Sequence, residues 1–352
     1  MINLLKKKNL WNTLFRTLDL LNTNKKRLSH YNFGRKYLGY VTHHVGPTAN
    51  TSIQNNRLLT VGECVHLLTT SFECEGVTEA RCSAEYIIAH ALGQKTLCTV
   101  PRNQLLIEPV ISRISHYAEL RRRKLPVQYV IGEWDFKDLT LTCSPPVFIP
   151  RPETEELVDY ALSDPVVQEA TCMLEVGSGT GAISIYLLTQ LPQLMVTAVE
   201  ISREACELTS QNARNYNLED RLNIINTTFK KGISLNDIRL EKKVDVLISN
   251  PPYIPHQVIQ HLQAEVTMFE DHRALDGGQD GLYIIRNILQ MAAQLIKSEG
   301  SLWLEVDQSH PRMIEHIVNS VPSLNLHYVK TYDDFYSSPR FCHLKVNPEE
   351  KV

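Results

Sequence analysis

The sequence predicts an α/β protein: a doubly wound, mostly parallel sheet preceded by a small helical domain. Three observations predict it. From Cys172 onward, short apolar runs alternate with amphipathic segments, as strands and crossover helices do in successive βαβ units. A glycine-rich loop, Gly177-Ser178-Gly179-Thr180-Gly181, joins the first of those strands to the first of those helices. Between about Thr60 and Lys124, by contrast, apolar residues recur at helical spacing.

The chain has 352 residues, enough for two domains at roughly 100–200 residues each. A hydrophobic fraction of 43% supports a buried core and excludes collagen-like or wholly disordered chains. No stretch reaches the roughly 18 consecutive apolar residues of a membrane-spanning helix, so no membrane partner is expected. Eight cysteines, none in a C-x-x-C pair, argue against a zinc knuckle and a disulfide scaffold. Reduced thiols are expected.

The formal net charge of −3 conceals an asymmetry. Ten Lys/Arg and one acid, Asp19, precede Glu63, which leaves 26 basic and 38 acidic residues in the remainder. The basic segment carries Leu4, Leu5, Leu10, Trp11, Leu14, Phe15 and Leu18 at helical spacing, without the continuous apolar core of a secretory signal. Residues 1–57 therefore read as a mitochondrial transit peptide and linker, with the mitochondrial matrix as the destination. A basic tail for nucleic acid or a membrane surface is the competing reading.

The helical domain, residues 58–125, opens with Val61, Val65, Leu67 and Leu68. A second helix carries Ala84, Ile87, Ile88, Ala91 and Leu92 and stops at Gly93. A third runs from Val110 into Arg121-Arg122-Arg123-Lys124, whose charges suit the negative end of a helix dipole. Residues 126–150 read as a β-hairpin connector, alternating at Leu139-Thr140-Leu141-Thr142 and ended by Pro145-Pro146. The α/β domain, residues 151–348, begins with a helix after Pro152. Strands are predicted at 173–176, 196–199, 222–225, 244–248 and 301–306, with further candidates at 324–329 and 341–346. Helices at 181–190, 203–216 and 282–296 separate them.

Glycines at alternate positions permit a sharp turn and close approach of backbone to a ligand. Glu200 ends the next strand, 19 residues after Gly181, where a carboxylate can accept hydrogen bonds from ribose hydroxyls. Loop and acid together imply an adenosine-containing cofactor, either a nicotinamide dinucleotide or S-adenosylmethionine. The third glycine of the dinucleotide fingerprint would fall at Ala182. The spacing here is G-x-G-x-G, which resembles a class I methyltransferase loop.

An apolar strand then ends in Asn250-Pro251-Pro252-Tyr253. The prolines rigidify the backbone and remove two N–H donors. What remains is a set of acceptors, the Asn250 side-chain oxygen and the Pro251 carbonyl, beside the aromatic face of Tyr253. That set suits a planar –NH2 group. An amide nitrogen is a poor nucleophile because its lone pair is delocalised, so catalysis would rest on orientation and proximity toward an activated methyl.

The whole pattern resembles the HemK/PrmC family, over roughly residues 60 to 346. It includes the helical domain, Ile149-Pro150-Arg151-Pro152-Glu153-Thr154-Glu155, the glycine loop, the Asn-Pro-Pro-Tyr tetrad and Ala274-Leu275-Asp276-Gly277-Gly278. The resemblance implies a class I S-adenosylmethionine-dependent methyltransferase, Rossmann-like, with a seven-stranded mostly parallel sheet. It implies methylation of the side-chain amide of the glutamine in the Gly-Gly-Gln motif of peptide-chain release factors, with the helical domain recognising that substrate. Carried over by position, Gly177, Ser178, Gly179, Thr180, Gly181 and Glu200 would hold the methionine and ribose parts of the cofactor. Phe229 would lie against adenine, although Thr228 stands where many members carry an acid. Asn250, the catalytic residue, would touch cofactor and substrate, and Pro251, Pro252 and Tyr253 would grip the amide with it. A monomer is expected.

Other readings remain open on the residues alone. An amino-methyltransferase acting on adenine in DNA or RNA shares the tetrad, but it should present a basic groove to phosphates, and the body of this chain is acidic. Direct nucleic-acid binding is therefore not expected. A release factor or ribosome-binding protein is raised by Gly277-Gly278-Gln279, which reads better as a flexible turn. A catalytically dead scaffold is opposed by the intact tetrad. Among 13 histidines, His256 and His261 are five apart, off the spacing of a helical metal site, so no metal is assigned.

Overall fold

The structure, a computed structural model, describes residues 59–349. The segment read as a transit peptide lies outside the described residues. Helices α1 (Val61–Cys74), α2 (Ala80–Ala91), α3 (Glu108–Arg122) and α4 (Val127–Ile131) close around a core of their own. Thr60 caps α1: the Glu63 N–H donates to Thr60 Oγ1 at 3.2 Å, and the Glu63 carboxylate accepts from the Thr60 N–H at 3.0 Å. Such a reciprocal box stabilises a helix start by ~1 kcal/mol. Val61, Val65, Leu68 and Phe72 then fall on one buried face of α1.

The connector differs from its sequence expectation. Residues 127–131 are helical, because Pro126 starts a turn in which Val127 and Val130, three apart, pack into the helical core. Gly132, at φ +86°, ends that turn. Strands β1 (Glu133–Phe136) and β2 (Leu139–Thr142) then form the expected antiparallel hairpin.

Helices α5 (Pro152–Leu162) and α6 (Pro165–Gln168) lead into β3 (Cys172–Val176). The chain continues through α7 (Ala182–Gln190), β4 (Met195–Glu200), α8 (Arg203–Asn215), β5 (Leu222–Asn226) and β6 (Val244–Ser249). Two short helices, α9 (His256–Ile259) and α10 (Ala264–Phe269), precede α11 (Tyr283–Leu295). Then come β7 (Ile296–Glu305), α12 (His310–Ser320), β8 (Leu326–Asp333) and β9 (Pro339–Val346).

The seven-stranded sheet has the order β5-β4-β3-β6-β7-β9-β8, and β9 alone runs against the rest. Side chains alternate across it: Leu302 and Leu304 enter the core under α11 and α12, while Trp303 enters the opposite core with α5 and α7. Trp303 is fully buried and stacked on His343 with centroids 4.1 Å apart.

The end of α3 also departs from expectation. Arg121 does not meet the helix dipole from solvent but turns inward, with its side chain 2% exposed. Its guanidinium bonds Ser83 Oγ and the Thr78 carbonyl, each at 3.0 Å, and Nη1 lies 2.9 Å from Glu265 of α10.

Candidate active site

Strands β3, β4 and β6 end on one edge of the sheet. Strand order reverses between β3 and β6, and an open α/β sheet leaves its ligand crevice at that switch point. A cleft of about 620 Å³ opens there. Gly177, Gly179, Glu200, Phe229, Asn250, Pro251, Pro252 and Tyr253 all line it, so residues from four strand ends converge on one cavity.

Ser178, Thr180 and Gly181 do not line it; they build the loop. Ser178 Oγ lies 3.1 Å from Thr209 Oγ1, and the Thr180 carbonyl accepts from Asn212 Nδ2 at 2.9 Å. A Cβ on Gly181, at φ +86°, would sit 2.8 Å from Ile185 Cδ1. Gly179 is the opposite case: at φ +56°, a Cβ there would meet nothing within 4 Å. Its missing side chain leaves room in the cleft.

Glu200 is tied to the loop by backbone hydrogen bonds. Its Oε2 accepts from the Gly179 N–H at 3.1 Å and its Oε1 from the Ser202 N–H at 2.8 Å. Burial pushes its pKa up, against the pull of those backbone bonds. Behind it, Glu175 is fully enclosed and bonded by the Ser184 hydroxyl. Burial, with the nearby charge of Glu200, pushes the Glu175 carboxyl up to about 8.

The Ser249 hydroxyl donates to the Val176 carbonyl at 2.6 Å and locks the ends of β6 and β3 together. Asn250 follows at once, its Nδ2 donating to Thr154 Oγ1 at 3.0 Å. Thr154 in turn donates to Glu305 Oε2 at 2.7 Å. This is what the Pro-Arg-Pro-Glu-Thr-Glu phrase does locally. Pro152 sets the first turn of α5, and that turn holds Thr154 behind the tetrad.

The Ala-Leu-Asp-Gly-Gly phrase has a physical role too. Ile254 pairs in parallel with Asp276. The Ile254 N–H donates to the Leu275 carbonyl at 3.0 Å, and the Gly277 N–H to the Ile254 carbonyl at 2.9 Å. The Gly-Gly-Gln tripeptide is therefore part of a braced turn, not the flexible one its sequence suggests. Gly281 completes the brace: at φ +76°, a Cβ there would lie 2.2 Å from the Tyr253 carbonyl oxygen. His256 faces Asp276, with Nδ1 2.6 Å from Oδ2.

A roof crosses the cleft between α10 and residue 276. Glu270 accepts from Arg151 Nη2 at 2.7 and 2.9 Å, and Arg151 also stacks over Phe148, 4.5 Å from the ring centroid. The Asp271 N–H donates to the Pro146 carbonyl at 2.8 Å. Sequence reasoning missed Thr154, Glu305, Glu265 and Glu270 as parts of this site. Only Thr154 carried a signal, by standing inside the phrase just before the catalytic domain.

The chain is similar in sequence to known methyltransferases. The family model described as "Methyltransferase small domain" matches residues 160–280. The human MTRF1L release factor glutamine methyltransferase is 43% identical over 295 residues, covering 80% of this chain and 86% of its own. The release factor glutamine methyltransferase of Mycolicibacterium smegmatis is 31% identical over 285 residues, covering 79% and 94%. Among solved structures, the release factor-specific protein-(glutamine-N5) methyltransferase of Alicyclobacillus acidocaldarius aligns at 19% identity and a TM-score of 0.35, over 57% of this chain and 95% of that one. The two sequence relatives, each spanning most of both chains, settle the assignment: this chain belongs to the release factor glutamine methyltransferase family.

Proposed function

We propose that this protein methylates the side-chain amide nitrogen of the glutamine in the Gly-Gly-Gln motif of a peptide-chain release factor, using S-adenosylmethionine. One observation carries the reading: the glycine loop and Glu200 share a single cleft with Asn250, Pro251, Pro252 and Tyr253. The residues fit the cofactor. An ionised carboxylate offers about four acceptor positions, and the backbone bonds to Glu200 take one on each oxygen, leaving acceptors for ribose hydroxyls. Gly179 leaves space for the chain of the cofactor, and Phe229, 5% exposed, offers an aromatic wall for adenine. S-adenosylmethionine would supply an activated methyl group.

The protein's own contribution is placement. Asn250 Oδ1 and the Pro251 carbonyl accept the two hydrogens of the glutamine amide, and Tyr253 packs against its plane. The nitrogen lone pair is thereby aimed out of that plane, toward the methyl. Fixing a reaction partner in such a geometry contributes several kcal/mol, on the order of the effective-molarity limit of about 7–11. No strong general base is required first, because the amide proton becomes acidic once the methyl is attached.

The helical unit, residues 58–125, is assigned to release-factor recognition, supported by its direct contact with the roof through Arg121 and Glu265. The acid-poor segment before Glu63 supports action in the mitochondrial matrix. Methyl transfer from labelled S-adenosylmethionine to purified release factor, beside DNA and RNA, tests the reading. Label on the release factor alone is expected, and label on nucleic acid alone overturns it.

A further inference from the structure

Two residues that line no part of the cleft are hydrogen-bonded in series to one that does. Thr154 and Glu305 lie behind Asn250, 4% and 0% exposed, and come together from positions 151 apart in sequence. A hydroxyl carries one proton. Thr154 gives its proton to Glu305 Oε2 at 2.7 Å, so toward Asn250 it can only accept, and it accepts from Nδ2 at 3.0 Å. The Asn250 amide is held in one of its two flips, with Oδ1 left for the cleft.

We propose that Thr154 and Glu305 are positioning residues that set which end of the Asn250 amide faces the substrate. The proposal rests on the reading of an amide –NH2 as the methyl acceptor. Such a group needs an oxygen from Asn250; the opposite flip would set two donors against each other. The same carboxylate serves the far end of the tetrad, since the Tyr253 hydroxyl lies 3.5 Å from Glu305 Oε1.

The direction of this chain requires Glu305 as an acceptor. Protonated, Glu305 can donate to Thr154, which then turns its proton toward Asn250 Oδ1 and favours the wrong flip. Burial pushes Glu305 up to about 7. The Thr154 bond and Arg340 of β9 pull it down, Glu153 of α5 pushes it up, and the Tyr253 hydroxyl pulls it down. Methyl transfer therefore rises with pH through about 7 as Glu305 loses its proton.

The test uses the full chain with T154V, T154S and E305Q. In T154V, kcat falls by about 10- to 100-fold while KM for cofactor and release factor stays within about threefold. T154S restores kcat to within about threefold, and E305Q lacks the pH step. Wild-type kcat in T154V, equal impairment of T154S, or an effect confined to KM overturns the proposal. A second readout needs neither turnover nor release factor: hydrogen exchange of the Asn250 side-chain amide in 15N-labelled protein. Protection in wild type, lost in T154V, supports the orientation; an unprotected wild-type amide overturns it even where T154V does not fold. A protected amide in a protein that methylates no release factor overturns only the functional reading beneath.

Discussion

Arg121 of α3 and Glu265 of α10 meet at 2.9 Å, with side chains 2% and 13% exposed, and join the helical unit to the roof of the cleft. Thr78 adds a hydroxyl bond to the same Glu265 oxygen at 2.6 Å. Breaking a buried pair by removing one partner costs more than removing both, because a lone charge stays behind. Glu265→Ala is expected to destabilise the protein by about 3–5 kcal/mol in urea unfolding. The double variant R121M/E265L should recover much of that loss. Additive losses in the double variant would contradict the account of the pair.

On the proposed mechanism, Asn250→Ala removes the acceptor that orients the substrate amide. We expect kcat to fall by at least about 10²-fold. Cofactor affinity should change by only a few-fold, since Glu200 and the glycine loop are untouched. Isothermal titration beside single-turnover methyl transfer separates the two effects. Unchanged turnover would count against catalysis by orientation.

Gly179→Arg is expected to abolish cofactor binding. Gly179 lines the cleft at φ +56° with nothing within 4 Å of where a Cβ would stand, so a long side chain there has room to reach the place proposed for the cofactor. A non-glycine residue there adds about 1–3 kcal/mol of backbone strain, so a titration must be read beside a thermal melt. A folded variant that still binds S-adenosylmethionine would show that the cofactor lies elsewhere.

Glu175 makes a prediction about pH. Its folded pKa, about 8, stands above the ordinary value of 4.5. Between those values the folded state holds more protons than the unfolded one, so stability falls as pH rises through that window. Glu175→Gln should flatten the fall and stabilise the protein at pH 8 by on the order of a few kcal/mol, with the advantage vanishing below about pH 4.5. Denaturant midpoints across the range check it. A parallel pH dependence in both proteins would mean that Glu175 is not the group responsible.

Local patterns made much of this molecule legible. The glycine loop, Glu200 and the tetrad each sit at a strand end, and the alternation of strands and helices sets those ends on one edge. Periodicity misread residues 126–131, where a short apolar run fits a strand or a helical turn equally well until Pro126 and the helical core decide. Arg121 looked like a solvent-facing dipole partner because its acceptor, Glu265, lies in a helix with no apolar period of its own. Thr154 stood inside a phrase that marked it, but neither its role nor that of Glu305 was readable locally. Their meaning lies in a hydrogen-bond chain between α5, Asn250 just after β6, and the end of β7, and no sequence window spans it.

On the proposed function, the cleft grips a glutamine amide of a release factor. Tandem mass spectrometry of a purified release factor, incubated with S-adenosylmethionine and either wild-type protein or the Asn250→Ala variant, tests it most directly. We expect a single methyl on the side chain of the Gly-Gly-Gln glutamine with wild type and almost none with the variant. A methyl on any other residue, or equal modification by both proteins, would contradict it.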